Sequence, residues 1–282
     1  MLAGELAGLA AAVRAGFPDF PIFVDLQGAK MRLGGFMEIA VAEGDPILFA
    51  LSGSAGTVPL PHKEMFATVE IGDTLSFDDD RLRFRVAAKA GDVLQAVALS
   101  QGTLRPRKGV NVVEHPVMLT DLTEADLACV RATAPLGGVS FALSFMKDGQ
   151  EAAWIRRQAP GCAVVGKVER REAAGQAHAI AGLVDALWIC RGDLGAQLGE
   201  AEMARWVGGY DPRVEACPVL MAGQVLEHMT AHASPTRAEV CHLFDLVARG
   251  YAGFVLSDET AVGADPVAAV RTLRSLLTSF SQ

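Results

Sequence analysis

Two short segments hold the residues best suited to chemistry. In Gly166-Lys167-Val168-Glu169 the two-residue spacing of an extended chain puts Lys167 and Glu169 on one face and Val168 on the other. In Cys190-Arg191-Gly192-Asp193-Leu194-Gly195, Asp193 supplies a second carboxylate, and the glycines permit a tight turn into a helix start whose backbone N–H groups can receive an anion. Two carboxylates completed by water and substrate oxygens suit Mg2+ or Mn2+, hard cations that seldom take a full protein cage. Lys167 would then offset negative charge developing on a bound ligand. The same charges, Lys167, Glu169, Arg191 and Asp193, would also make a structural ion-pair network, and their spacing leaves both readings open.

The elements that must position these groups are readable from the alternation of the chain. From residue 135 onward short β-rich apolar runs alternate with helix-like stretches, the mark of βα units and a parallel sheet. Runs at Val139 to Phe145, Cys162 to Val168, Val184 to Cys190, Pro218 to Ala222 and Ala252 to Ser257, with an earlier one at Phe20 to Asp25, predict six strands. Both polar segments then fall at the carboxyl ends of strands, where a βα barrel gathers its reactive groups. Helices are expected after Thr123, with Asp126 completing a capping box, after Ser234 with Pro235 in the first turn, and after Asp265 with Pro266 in the first turn. Between 36 and 105 the chain has short β-type segments and turns such as Glu43-Gly44-Asp45 and Ile71-Gly72-Asp73, without a long amphipathic helix. The expectation is an α/β protein: an incomplete TIM-type barrel of six strands (residues 1–35 and 106–282) with a small inserted β-barrel domain (36–105).

Composition narrows the function classes. The chain has 282 residues, 51% hydrophobic and 21% charged, enough to bury a large core. Its net charge of -8, with 25 basic residues spread along the chain, gives no concentrated positive face for nucleic acid. The 5 cysteines form no CxxC pair and mostly lie in apolar runs, which predicts reduced, buried thiols. The start lacks the pattern of a secretory signal and no run reaches membrane-spanning length, so a cytoplasmic protein is expected. His228 and His232, four apart, could share a helix face as ligands, but no nearby carboxylate pair accompanies them and they read as structural or solvated. His62 reads as a surface-loop histidine, and Trp154, Trp188 and Trp206 as packing residues.

At the two polar segments the chain resembles the active-site motifs of pyruvate kinases, in order and separation. Val24-Asp25-Leu26-Gln27-Gly28-Ala29-Lys30-Met31-Arg32 looks like that family's third barrel strand, Arg107-Lys108-Gly109-Val110-Asn111 like the re-entry from its inserted domain, and Ala142-Leu143-Ser144-Phe145 like its fourth strand. Pro235-Thr236-Arg237-Ala238-Glu239-Val240 and Leu256-Ser257-Asp258-Glu259-Thr260-Ala261 continue the collinear series. The resemblance implies that Glu169 and Asp193 bind the divalent metal, that Lys167 supports the transferring phosphoryl group, and that the Gly192 and Asp193 amides hold the substrate carboxylate. Arg32 and Lys108 would face nucleotide phosphates. Lys30, with Leu26, resembles the branch in which a lysine ammonium replaces K+, so K+ would not be required.

Relative to that family the chain reads as shortened, without the first two barrel strands and the C-terminal domain. Those strands would supply an arginine and an asparagine that grip the phosphate, so ADP or ATP binding is placed in doubt. Six strands leave two open edges, for which a second copy or another chain is the expected cover, giving a homo-oligomer or a partnered chain. A further departure is Gly223, where the family has a threonine beside the substrate. The expected activity is Mg-dependent phosphoryl transfer between phosphoenolpyruvate and ADP giving pyruvate and ATP. The alternatives are a metal-dependent lyase acting through a pyruvate enolate, on oxaloacetate or in a pyruvate aldolase, and a non-catalytic metabolite-binding member.

Overall fold

The computed structural model describes residues 3–78, 81–114 and 117–280. The chain divides into two compact units, Met1–Leu26 with Glu124–Gln282, and Gln27–Thr123. The second is wider at both ends than the 36–105 range expected for the insert, because the segments around Arg32 and Gly109 bridge to each other in antiparallel fashion.

The first unit holds the six expected strands: β1 (Ile22–Leu26), β2 (Val139–Leu143), β3 (Val164–Val168), β4 (Ala186–Cys190), β5 (Val219–Ala222) and β6 (Gly253–Val255). They pair in parallel in that order, as consecutive βα units require. Register fixes the two faces. Val24 lies beside Phe141 and Phe141 beside Val164, all three buried on the helix side. Gly166 shares that side, where an added Cβ would lie 2.9 Å from Met146 Sδ, 3.2 Å from Ile180 Cγ2 and 3.3 Å from Val184 Cγ1. Alternation therefore turns Asp25, Ala142, Val165 and Lys167 to the inner face. Phe23 and Trp188 meet on the same face, with ring centroids 5.7 Å apart.

Helices α1 (Ala3–Gly16), α2 (Glu124–Thr133), α3 (Glu151–Gln158), α4 (Arg171–Gly175), α5 (Ala177–Ala181), α6 (Arg191–Leu198), α7 (Glu200–Gly209), α8 (Arg237–Ala248), α9 (Asp258–Ala261) and α10 (Pro266–Phe280) complete this unit. Arg14 ties α1 to the start of the sheet: its guanidinium donates to Gly137 O (3.1 Å), Gly138 O (3.0 Å) and Phe20 O (3.0 Å), and also to Pro18 O. Helix α2 begins directly after Thr123 and α10 at Pro266, as expected, with Asp265 accepting from the Ala268 amide at 2.9 Å.

The start of α8 corrects the sequence reading. Thr236, not Ser234, is the N-cap: its hydroxyl accepts from the Glu239 amide (3.1 Å) while Glu239 accepts from the Thr236 amide (2.6 Å). A reciprocal threonine-glutamate box satisfies two orphan donors, which a serine followed by proline does not. Expectations for the thiols also need correction. All five are free, but Cys190 alone is buried and Cys241 is exposed.

In the second unit the strands Val58–Pro59, Pro46–Ala50, Val93–Ala98, Leu82–Ala90, Thr74–Phe77 and Val110–Val112 form one sheet in that spatial order, and Ile39–Val41 pairs with Gly102–Leu104 in another. Phe49, Phe77 and Phe84 stack and edge against one another at centroid distances of 5.2 to 5.6 Å and centre the core. Gly44 and Gly72 adopt φ of 90° and 98° in the two turns read from the sequence, a region that disfavours other residues. Among the described residues no helix is long and apolar enough to cross a membrane.

Candidate active site

The carboxyl ends of β1, β2 and β3 bring three polar side chains onto one ammonium. Lys167 Nζ lies 3.1 and 3.0 Å from the two Asp25 carboxylate oxygens, 2.8 Å from Ser144 Oγ and 3.2 Å from Glu169 Oε1. The lysine is 9% exposed and Glu169 2%, whereas the Asp25 side chain is 62% exposed. Burial alone would discharge the lysine, but Glu169 first and Asp25 next outweigh it and hold the ammonium well above its ordinary pKa. Glu169 also accepts from the Phe145 amide at 2.8 Å. Phe145 sits at φ 55°, a strained value for a large residue, directly after β2.

Asp25 and Ser144 were legible only as members of resembling segments. Their signal was register: Asp25 is an inner-face residue of the strand paired with β2, and Ser144 follows that strand by one residue, its amide bonded to Leu26 O at 3.0 Å.

Cys190 links this group to the next strand. Its thiol is pushed well above the ordinary value, by burial first, then by the negative charge of Glu169, against the pull of Lys167 and with a smaller push from Asp193. Asp193 and Gly192 occupy the first turn of α6, and the N-cap residue Cys190 gives no side-chain bond to that turn. Gly223, at φ 77°, lies over it: a Cβ there would stand 3.5 Å from Gly192 N and 3.7 Å from Arg191 N. This is ordinary contact distance, so glycine at 223 is required by its backbone angle and not by crowding.

Arg191 departs from the rim-network reading, because its bonds go to carbonyls. It donates to Gly223 O at 3.0 and 2.6 Å and to Gln224 O at 2.7 Å, and its Nη1 lies 2.7 Å from His242 Nε2. His242 must be the acceptor there, hence neutral at that nitrogen. Burial, then the charge of Arg191, depresses its pKa. The unfolded chain therefore binds this proton more readily. The stabilisation is complete above the ordinary imidazole value of about 6.5 and is lost as pH falls through the lower folded value. Urea titrations should show wild type losing more stability than His242→Gln on acidification below about pH 6.5, since glutamine keeps a neutral acceptor. Equal losses would remove this role from His242.

The remaining residues singled out by sequence belong to the second unit. Arg32 and Lys108 are brought onto adjacent strands by the Arg32–Gly109 bridge and by the Leu33 amide bond to Lys108 O at 2.9 Å. Arg32 Nη1 donates to Arg107 O (3.3 Å), and Lys108 pairs with Asp78 at 2.8 Å. Lys30 lies in the turn before them, its amide donating to Gln27 O at 3.1 Å. His62 is not a loose loop histidine: its Nε2 sits 3.0 Å from Arg32 N and 2.8 Å from Arg32 O.

A parallel six-stranded βα sheet with a lysine and carboxylates at its carboxyl edge defines the class as an incomplete TIM-type barrel fold. Residues 6–270 match the family model described as pyruvate kinase, barrel domain. Relatives named pyruvate kinase include one from Agrobacterium vitis, 31% identical over 91% of this chain and 56% of its own length, and one from Mycobacterium tuberculosis, 30% identical over 93% and 58%. A crystal structure of pyruvate kinase from Pyrobaculum aerophilum superposes with a TM-score of 0.75 at 26% identity, covering 97% of this chain and 63% of that one. The chain belongs to the pyruvate kinase family through its barrel domain, and it spans a little over half the length of the relatives it matches. None of these relatives carries a lyase name, so the oxaloacetate and aldolase alternatives find no support in them.

Proposed function

We propose that this chain carries out pyruvate kinase-type phosphoryl transfer between phosphoenolpyruvate and ADP. The observation that supports the reading most directly is the buried Lys167 ammonium held by Glu169, Asp25 and Ser144 beside the α6 N-terminus. Glu169 and Asp193 would hold Mg2+ or Mn2+. The donor set fits by its chemistry: two carboxylates follow the carboxyl ends of the adjacent strands β3 and β4, and a thiol that burial keeps protonated competes poorly for a hard cation. When bound, the ion would neutralise charge on the substrate oxygens.

The protein's own part is positioning and charge. The Gly192 and Asp193 amides receive the substrate carboxylate at the helix start, where backbone donors and the helix dipole favour an anion. Lys167, already rigid, faces the phosphoryl oxygens and can exchange its contact with the exposed Asp25 for one with the substrate. Its charge is thereby present before the reaction and needs no reorganisation. Arg191 holds the Gly223 and Gln224 carbonyls so that the loop after β5 keeps its place over that helix start. In the second unit Arg32 and Lys108 would face nucleotide phosphates, Lys108 by exchanging its contact with Asp78, and Lys30 would take the place of K+.

A coupled assay of pyruvate formation from phosphoenolpyruvate and ADP with Mg2+ tests the reading. Glu169→Gln is expected to lower kcat/KM by about 100-fold or more, with the loss larger at limiting than at saturating Mg2+. No pyruvate formation by the wild-type chain at saturating Mg2+ would overturn the proposal.

A further inference from the structure

Directly after Glu169 stands Arg170, a guanidinium only 3% exposed to which the proposed phosphoryl-transfer site gives no part. Glu172, in the first turn of α4, takes one side of its fork, with Nε 3.0 Å from Oε2 and Nη2 3.3 Å from Oε1. The third nitrogen, Nη1, lies 3.5 Å from Phe145 O in a buried contact at the long end of hydrogen-bond range. The amide of that same residue donates to Glu169 Oε2 at 2.8 Å. Successive side chains of an extended chain point to opposite sides, so Glu169 and Arg170 bracket residue 145, one receiving its N–H and the other facing its C=O.

Residue 145 needs such support. At φ 55° its Cβ crowds the backbone, and a phenyl side chain offers no local hydrogen bond to offset this, as asparagine would. The same device recurs in the chain. Among the described residues four that are not glycine have positive φ: Asp78, Arg107, Phe145 and Gln224. In three of them an arginine stands on the carbonyl: Arg191 Nη2 donates to Gln224 O at 2.7 Å, Arg32 Nη1 to Arg107 O at 3.3 Å, and Arg170 faces Phe145 O. A guanidinium there fixes the peptide that follows the left-handed residue, which keeps a strained backbone from relaxing.

Glu169 depends on that peptide. It is 2% exposed, and with Oε2 held by the Phe145 amide its Oε1 is directed to Lys167, 3.2 Å away. Were residue 145 to relax, the amide would leave Oε2 and the carboxylate would be free to turn. We infer that Arg170, oriented by Glu172, is a positioning residue that props Phe145 in its left-handed state and through the Phe145 amide fixes the rotation of Glu169. Its effect on divalent-ion affinity rests on the reading of Glu169 as a metal ligand, whereas its effect on the Phe145 amide does not.

Two measurements test this without reference to turnover. In the metal-free protein, hydrogen exchange read by NMR should show the Phe145 amide of Arg170→Met exchanging about tenfold faster than in wild type, relative to the Phe141 amide, which is bonded to Ala163 O within the sheet. Titration with Mn2+, followed by the EPR signal of the free ion, should show the Glu169-dependent site of Arg170→Met weakened by about tenfold or more, as for other residues that orient a ligand from behind. Arg170→Lys, which keeps the charge but not the planar fork, should lie between the two. Glu172→Gln, at a side chain one-third exposed and therefore tolerant of change, should move both readouts in the same direction by a smaller factor, so the test does not hang on the folding of Arg170→Met. Arg249→Met is the control for a merely structural arginine: this residue donates to Val207 O and Tyr210 O, both at 2.7 Å, and its loss should lower the urea midpoint while leaving Mn2+ affinity and the relative Phe145 exchange unchanged. Wild-type exchange at Phe145 in Arg170→Met and Glu172→Gln overturns the proposal, and so does wild-type Mn2+ affinity in them where Glu169→Gln loses it. Mn2+ affinity that Glu169→Gln leaves intact overturns the metal reading instead, and exchange at Phe145 then decides the role of Arg170 alone.

Discussion

Lys167→Met is expected to abolish turnover, with a fall in kcat of about 1,000-fold, and to destabilise the fold by about 3–5 kcal/mol. The two effects share one cause. The ammonium is the charge toward which Glu169, Asp25 and Ser144 converge, and Glu169 is 2% exposed. Methionine fills the volume but leaves the Glu169 carboxylate facing a neutral chain, with its Phe145 amide bond at 2.8 Å insufficient to balance a buried charge. Asp25 loses its partner at little cost, because its side chain is exposed to water. The pairing is separable from the catalytic effect. Lys167→Met with Glu169→Gln should recover most of the lost stability, since no net charge then stays buried, and none of the lost turnover. Urea unfolding of the four species of this cycle, run beside the coupled assay, checks both halves. Additive stability losses would mean that the two side chains do not interact, and would remove the electrostatic core from the site.

Glu259→Ala should cost a similar amount through a different mechanism. Glu259 is fully buried, and its oxygens accept from the Leu226 amide (2.9 Å), the Ser257 amide (2.9 Å) and the Ser257 hydroxyl (3.2 Å). The side chain thus ties the segment after β6 to the segment after β5. Alanine strands two backbone donors away from water at about 1–3 kcal/mol each and opens a cavity, for a total of roughly 3–5 kcal/mol. Glu259→Gln should rescue only part of this. Its carbonyl can accept from one amide, but its NH2 group then faces the other donor. Denaturant melts of both variants measure the effect, and a glutamine variant as stable as wild type would show that a single acceptor suffices. Because the Gly223 loop leaves the same strand end as Leu226, kcat/KM should fall with stability in the alanine variant.

How much of this could be read in advance differs from residue to residue. All six barrel strands were visible, because each parallel strand carries a short apolar run and each run was bounded by turn or cap residues. The pairing of Lys167 with Glu169 followed from alternation alone. Caps were less secure. Ser234 and Thr236 are both acceptable N-caps, and the choice fell to Glu239, whose carboxylate is three residues beyond Thr236 and five beyond Ser234. Arg191 could not be placed in advance for a related reason: in the sequence it neighbours a carboxylate, which left an ion-pair network open, but its guanidinium fork matches the diverging carbonyls of Gly223 and Gln224, which only the loop after β5 presents.

Sequence by itself determined the alternation of strand and helix, the identity of the charged groups at the strand ends and the family, since these depend on local periodicity and on the order of motifs along the chain. Tertiary structure decided which groups share a charge. Asp25, Ser144 and Lys167 come from three strands far apart in the chain, and only the β1-β2-β3 register places two carboxylates and a hydroxyl around one ammonium. It likewise decided the tautomers of His228 and His232, because a ring nitrogen's proton is set by the partner that folding supplies and not by the residue's name.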